Sequence, residues 1–176
     1  MVPSVIIVMG VSGSGKTTVA SLLAQRLRWR FVEGDSFHSA ANVARMGDGI
    51  PLTDEDRGPW LDSIAAWIDA ARAAGERCIV TCSALKRAYR ERLVAGRDGA
   101  RFVYLKGEQR LVTQRMAART GHYMPLSLLR SQFDTLEEPG SEESALVVPI
   151  EASPEEIVAS IIANLRLDES LVHPPQ

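Results

Sequence analysis

The sequence predicts an α/β domain built on a five-stranded parallel sheet with helices on both faces. Three observations carry that expectation. Five short β-branched or apolar runs, near residues 4–9, 30–33, 77–81, 101–105 and 145–150, are separated by stretches of helical periodicity, and strands that alternate with helices form parallel crossovers. A glycine-rich segment stands between the first run and the first helix. No repeat, low-complexity tract or linker divides the 176 residues, a length suited to one domain with a full core.

Taken in order, Ser4 to Met9 is the first strand and ends at Gly10. The helix from Lys16 to Arg28 follows, with Val19, Leu22, Leu23 and Leu27 as its apolar stripe. A second strand, from Arg30 to Glu33, stops at Gly34-Asp35, and Ser36 is expected to cap a short helix reaching Met46. Gly47 to Leu52 is turn-rich. Thr53-Asp54-Glu55-Asp56 has the form of a capping box, and Trp60, Leu61, Ile64, Trp67 and Ile68 recur behind it at the spacing of a core-facing helix. Next come a strand from Arg77 to Thr81, a helix from Leu85 to Val94, a strand from Arg101 to Leu105 and a helix from Glu108 to Ala118. An exposed loop from Arg119 to Pro125 leads to a helix from Leu126 to Leu136 and a last strand from Ala145 to Ile150. Ser153 at the N-cap and Pro154 at the first helical position open the final helix, and the tail after Leu167 is expected to fray.

Composition narrows the function classes. The chain is 45% apolar and 24% charged with a net charge of −2, so no global field draws it to nucleic acid or to an anionic membrane. The apolar run Val5-Ile6-Ile7-Val8-Met9 is too short for a signal segment or a bilayer span, which points to a soluble cytoplasmic protein. Cys78 and Cys82 lie four apart in an apolar segment, where a strand turns both to one face with their Cα atoms too distant to bridge. They are expected to be buried, reduced thiols and not part of a metal site.

Gly10-Val11-Ser12-Gly13-Ser14-Gly15-Lys16-Thr17 satisfies Gly-x-x-x-x-Gly-Lys-Thr in full, directly after a strand and at the opening of a helix. This is a P-loop. Its glycines let successive backbone N–H groups turn inward toward phosphate oxygens, and the helix N-terminus adds partial positive charge. Lys16 is placed for the β- and γ-phosphates of ATP, the Thr17 hydroxyl for Mg²⁺, and the adjoining Thr18 extends the nucleotide-binding stretch. The fold expected is therefore the three-layer P-loop NTPase fold. A guanine-reading Asn-Lys-x-Asp is absent, and the strand ending at Thr81 runs into Cys82-Ser83 without a carboxylate. A small phosphotransferase remains.

In parallel sheets of this kind ligands gather at the carboxyl ends of the strands, so Gly10, Asp35, Ser83 and the region after Leu105 are expected to converge. Asp35, in Gly34-Asp35-Ser36-Phe37-His38, faces the P-loop in that reading and can accept a proton from an acceptor hydroxyl or orient it. The alternative role for Asp35 is a cap of the next helix.

Beyond the P-loop, several segments resemble the gluconokinase family over nearly the whole chain. They are Glu33 to His38, Pro51-Leu52-Thr53-Asp54-Glu55-Asp56-Arg57, Pro59-Trp60-Leu61, Cys82-Ser83-Ala84-Leu85-Lys86, Tyr104 to Gly107, Gly121-His122-Tyr123-Met124 and Gln132 to Pro139. The resemblance implies ATP-dependent phosphorylation of D-gluconate on its 6-hydroxyl, feeding the pentose phosphate or Entner–Doudoroff route. It also implies a nucleoside-monophosphate-kinase-like core, a mobile lid over about residues 115–126 and commonly a homodimer. Many members carry Pro after the motif histidine, where this chain has Ser39.

Gluconate, with one carboxylate and a row of hydroxyls, needs cations and neutral hydrogen-bonding groups. Arg57, Lys86 and Arg90 are candidates for the charge, with Lys86 and Arg90 expected on one helix face. His38, Ser83, His122 and Gln132 are candidates for the hydroxyls. Arg115 and Arg119, also four apart, suit a lid closing over ATP. By analogy with related kinases, Arg119 is expected at adenine and Arg115 at the phosphates. A shikimate-type kinase, the nearest rival, is expected to show Asp-x-Asp and Gly-Gly-Gly where this chain has Asp35-Ser36-Phe37 and Cys82-Ser83-Ala84. A module that holds ATP without transferring phosphate is disfavoured by Lys16, Thr17, Asp35 and the arginine pair.

Overall fold

The computed structural model describes residues 1–119 and 125–167. Its strands are β1 (Val5–Met9), β2 (Arg30–Glu33), β3 (Cys78–Thr81), β4 (Ala100–Lys106) and β5 (Leu146–Pro149). All pair in parallel, in the order β2-β3-β1-β4-β5. The helices are α1 (Lys16–Leu27), α2 (Ala40–Gly47), α3 (Asp54–Ala73), α4 (Arg87–Val94), α5 (Gln109–Ala117), α6 (Leu126–Thr135) and α7 (Pro154–Leu165).

Central strand β1 is buried at every position. Its side chains alternate between two cores, as period-two geometry requires. Ile6 and Val8 join Val19 and Leu23 of α1, Val112 and Met116 of α5, Leu129 of α6 and Ile157 and Ile161 of α7. Val5, Ile7 and Met9 join Trp60, Leu61, Ile64 and Ile68 of α3 and Tyr89 and Leu93 of α4. Helices therefore cover both faces. The chain crosses from β1 toward β2 and from β3 in the other direction to β4, so the connections reverse between neighbouring β1 and β3 and open a crevice at their carboxyl ends.

Two of the three expected caps form: Thr53 and Asp56 make a reciprocal box at α3, and Ser153 with Glu156 does so at α7. Ser36 does not cap α2. Gly34–Phe37 coils into a short 3-10 turn in which the Ser36 hydroxyl donates to the Glu33 carbonyl, and Ser39 caps α2 by accepting from the Asn42 N–H. Helix α4 starts at Arg87 rather than Leu85, because Ala84 is left-handed (φ +46°) and Lys86 is extended. Both cysteines are buried and free, in the same core. Burial pushes the Cys78 thiol up to about 11 and the Cys82 thiol up to about 12. Among the described residues no helix is long and apolar enough to cross a membrane. The expected tail falls outside the described residues.

Candidate active site

The crevice brings together the strand ends that the sequence predicts to meet. The Gly10 N–H donates to the Ser83 carbonyl at 3.4 Å, which ties the loop after β1 to the segment after β3. Gly10, at φ +149°, also passes so close to β4 that a Cβ would stand 2.9 Å from the Leu105 carbonyl, a fit that only glycine allows. Lys16 begins α1 and folds over this loop, its Nζ donating to the carbonyls of Gly10 and Val11 at 3.0 Å each. Burial lowers the Lys16 pKa, and Asp35 is the strongest of the groups that oppose that shift. Asp35 thus lies within electrostatic reach of the phosphate loop. Thr17 and Thr18 are exposed in the first turn of α1.

Asp35 stands in the 3-10 turn after β2, its side chain 81% exposed. The backbone beneath it is tightly held: the Gly34 N–H donates to Thr81 Oγ1 at 3.1 Å, Thr81 donates to Glu33 Oε2 at 2.5 Å, and Trp60 Nε1 donates to the Gly34 carbonyl at 2.8 Å. His38 lies behind Asp35 and not in the open. Its side chain is 4% exposed and stacked on Trp60 with ring centroids 4.2 Å apart, and Nε2 is 3.8 Å from Asp35 Oδ1. Burial lowers the His38 pKa, with Asp35 opposing and Arg57 reinforcing the shift. The imidazole is held neutral near pH 7.

Arg57 and Lys86 gather on one aromatic ring further along. The Arg57 guanidinium is 5.4 Å and the Lys86 ammonium 5.7 Å from the Tyr89 ring centroid. Arg57 Nη1 donates to the Tyr89 hydroxyl at 3.2 Å, that hydroxyl donates to Asp54, and Lys86 Nζ pairs with Asp54 Oδ1 at 3.0 Å. These four side chains line a cavity of about 310 Å³. Tyr89, which joins them, is visible in the sequence only as a residue three after Lys86. Asp54 reads there as part of a cap, and Glu33 as a strand end, although its Oε1 is buried with no partner among the described residues.

Other candidates sit elsewhere. Arg90 is 1% exposed and grips Glu143 with two bonds, Nε to Oε2 at 2.5 Å and Nη2 to Oε1 at 2.9 Å, while Nη1 donates to the Ala84 and Leu85 carbonyls. It is a buried strut, not a ligand for the acceptor. The expectation that it shares a face with Lys86 fails because Lys86 precedes the helix. Gln132 meets the phosphate loop rather than the acceptor wall: its Oε1 accepts from the Ser12 N–H at 2.7 Å. Arg115 Nη2 donates to the Ile150 carbonyl at 2.7 Å, on the β5 side of the loop, and Arg119 is exposed just past the end of α5. His122 lies outside the described residues, as do residues 120–124 of the expected lid. Among the described residues no three His, Cys, Asp or Glu side chains cluster to hold a metal ion.

Comparison with known proteins points to one family. A family model described as "AAA domain" matches residues 5–139. The gluconokinase of Gluconobacter oxydans (strain 621H) is 44% identical over 167 residues, covering 95% of this chain and 94% of that protein. The thermoresistant gluconokinase of Escherichia coli (strain K12) is 42% identical over 161 residues, covering 91% and 92%. Among solved structures, a gluconokinase from Sinorhizobium meliloti 1021 superposes with a TM-score of 0.85 at 44% identity, covering 97% of this chain and 96% of its own.

Proposed function

The chain belongs to the gluconokinase family of P-loop kinases, and on that premise we propose that it transfers the terminal phosphoryl group of ATP to the 6-hydroxyl of D-gluconate. The products are 6-phospho-D-gluconate and ADP. That the protein is an ATP-using kinase of sugar acids follows from its family. The choice of gluconate and of its 6-hydroxyl is our reading of the cleft.

One observation carries that reading: two cations, Arg57 and Lys86, stand over the Tyr89 ring, while Asp35 acts electrostatically on Lys16 of the phosphate loop and shares with Arg57 an influence on His38. An acid with an alcohol at one terminus and a carboxylate at the other suits a carboxylate near the phosphate loop together with such a pair of cations. Arg57 and Lys86 take the carboxylate, Ser83 and His122 take hydroxyls, and Asp35 orients the terminal alcohol or accepts its proton as the new O–P bond forms and the bond to ADP breaks. His38, packed behind Asp35, supports that carboxylate. Gly10 to Thr17 with Thr18 hold the nucleotide, Arg115 reaches the phosphates and Arg119 the adenine when the 115–126 lid closes.

Mg²⁺ is expected to enter with the nucleotide, where it neutralises phosphate charge. The donors present fit it: Thr17 offers an exposed hydroxyl at the start of α1, and Glu33, whose Oε1 has no partner among the described residues, is among the groups that act to raise the Lys16 pKa. The same reading makes the enzyme cytoplasmic and homodimeric. An ADP-release assay across sugar acids tests the substrate, with phosphorus NMR fixing the position of the new ester. Gluconate is expected to be turned over at its 6-position; turnover of another acid with none of gluconate overturns the proposal.

A further inference from the structure

Both helices that flank residues 118–125 touch the phosphate loop, and they do so at consecutive residues. Gly13, at φ +79°, rests against α5: a Cβ there would stand 2.5 Å from Met116 Cγ and 3.2 Å from Val112 Cγ1. Ser12 is held from α6. Its backbone N–H donates to Gln132 Oε1 at 2.7 Å, and Gln132 Nε2 donates to Ser12 Oγ at 3.3 Å. One side-chain amide therefore grips the main chain and the side chain of a residue 120 positions away. The grip is stiff at its base, because Leu128 and Leu129 of α6 are buried and Leu129 shares a core with Val112 and Met116.

We propose that Gln132 is a positioning residue for the nucleotide phosphates and not a reader of acceptor hydroxyls. Acting through Ser12, it fixes the outer turn of the phosphate loop and ties it to the helix pair around the 118–125 connection, so loop and helix pair set up as one unit. The inference rests on the P-loop holding ATP and is independent of which acid is the acceptor. A phosphate cradle works by geometry, and misplacement of about 1 Å costs roughly a hundredfold in rate. Glutamine suits the place because its amide offers an acceptor for the N–H and a donor for the hydroxyl at once. Glutamate keeps only the acceptor and turns a negative charge toward the triphosphate, whereas leucine keeps neither.

The test is equilibrium binding of a non-hydrolysable ATP analogue with Mg²⁺ and no acceptor present, joined to steady-state kinetics. Gln132→Leu is expected to weaken the analogue about tenfold, the cost of two lost hydrogen bonds, with the KM for the acid within about twofold of wild type. Gln132→Glu is expected to bind the analogue more weakly than Gln132→Leu. Ser12→Ala removes the hydroxyl half of the clasp, so its effect on analogue binding combined with Gln132→Leu is expected to fall short of the sum. Unchanged analogue binding with a raised KM for the acid returns Gln132 to the acceptor pocket and overturns the proposal. So does glutamate binding the analogue as well as glutamine, or an equal loss for both substrates in variants with lowered melting temperature.

Discussion

The two ends of the cleft are built from different materials. At the phosphate end, one unbroken segment of eight residues leads into a helix N-terminus, and half-buried Lys16 folds against the segment's own carbonyls. At the acceptor end the groups are side chains from three separate elements: Asp35 after β2, Arg57 on α3 and Lys86 ahead of α4. Arg57 and Lys86 are half-exposed, and Lys86 is already paired with the exposed Asp54. Exposed pairs contribute little and exchange readily, so an incoming carboxylate can replace Asp54 as the partner of Lys86. On the proposed function, the phosphate end is preorganised for a triphosphate and selectivity for the acid falls to the end whose partners can be exchanged.

The largest effect that would break this contrast is at Lys16. Lys16→Ala is expected to cut kcat by about a thousandfold or more with the melting temperature nearly unchanged, measured by coupled ADP release. Arg90 offers the opposite case, a buried cation with a structural task. Glu143→Ala leaves that guanidinium unpaired and is expected to cost about 3–5 kcal/mol in urea unfolding, with normal kcat in the fraction that stays folded. Asp35→Asn is expected to lower kcat by roughly a hundredfold or more, and ATP affinity by less than about twofold. Near-normal turnover would remove Asp35 from the chemistry.

Smaller effects sharpen the acceptor side. Arg57→Ala or Lys86→Ala is expected to raise the KM for gluconate about tenfold or more and to leave the KM for ATP in place. The smallest effect is a pH dependence. The folded pKa of His38 lies below its unfolded value of about 6.5, so the folded state favours the neutral ring. Its contribution to stability is whole above that value and is lost as pH falls through the folded pKa. Urea midpoints of wild type are expected to decline below about pH 6.5 more steeply than those of His38→Gln.

The same division decides what could be read from sequence. Strand order aside, every strand and α-helix among the described residues is visible in the sequence, and the phosphate loop is legible because its function needs one unbroken segment. Caps at Thr53 and Ser153 are legible for the same local reason. Where a side chain is answered by a distant residue, local spacing carries no signal. Arg90 has Glu143 as its partner, 53 residues on, and Gln132 has Ser12. Ser36 and Ser39 both precede an alanine-rich helix, and only the turn at Gly34–Phe37 decides between them. His38 carries a polar ring that suits a hydroxyl, yet the face of Trp60 draws it out of the open cleft.

The two thiols add a practical consequence. Cys78 and Cys82 are the only cysteines of the chain, and both are buried at the centre of the sheet, in and just beyond β3. Alkylating reagents attack the thiolate, so neither sulfur is expected to react until the strands part. Pulse labelling with iodoacetamide across a denaturant series would then clock global opening of the molecule without an engineered probe.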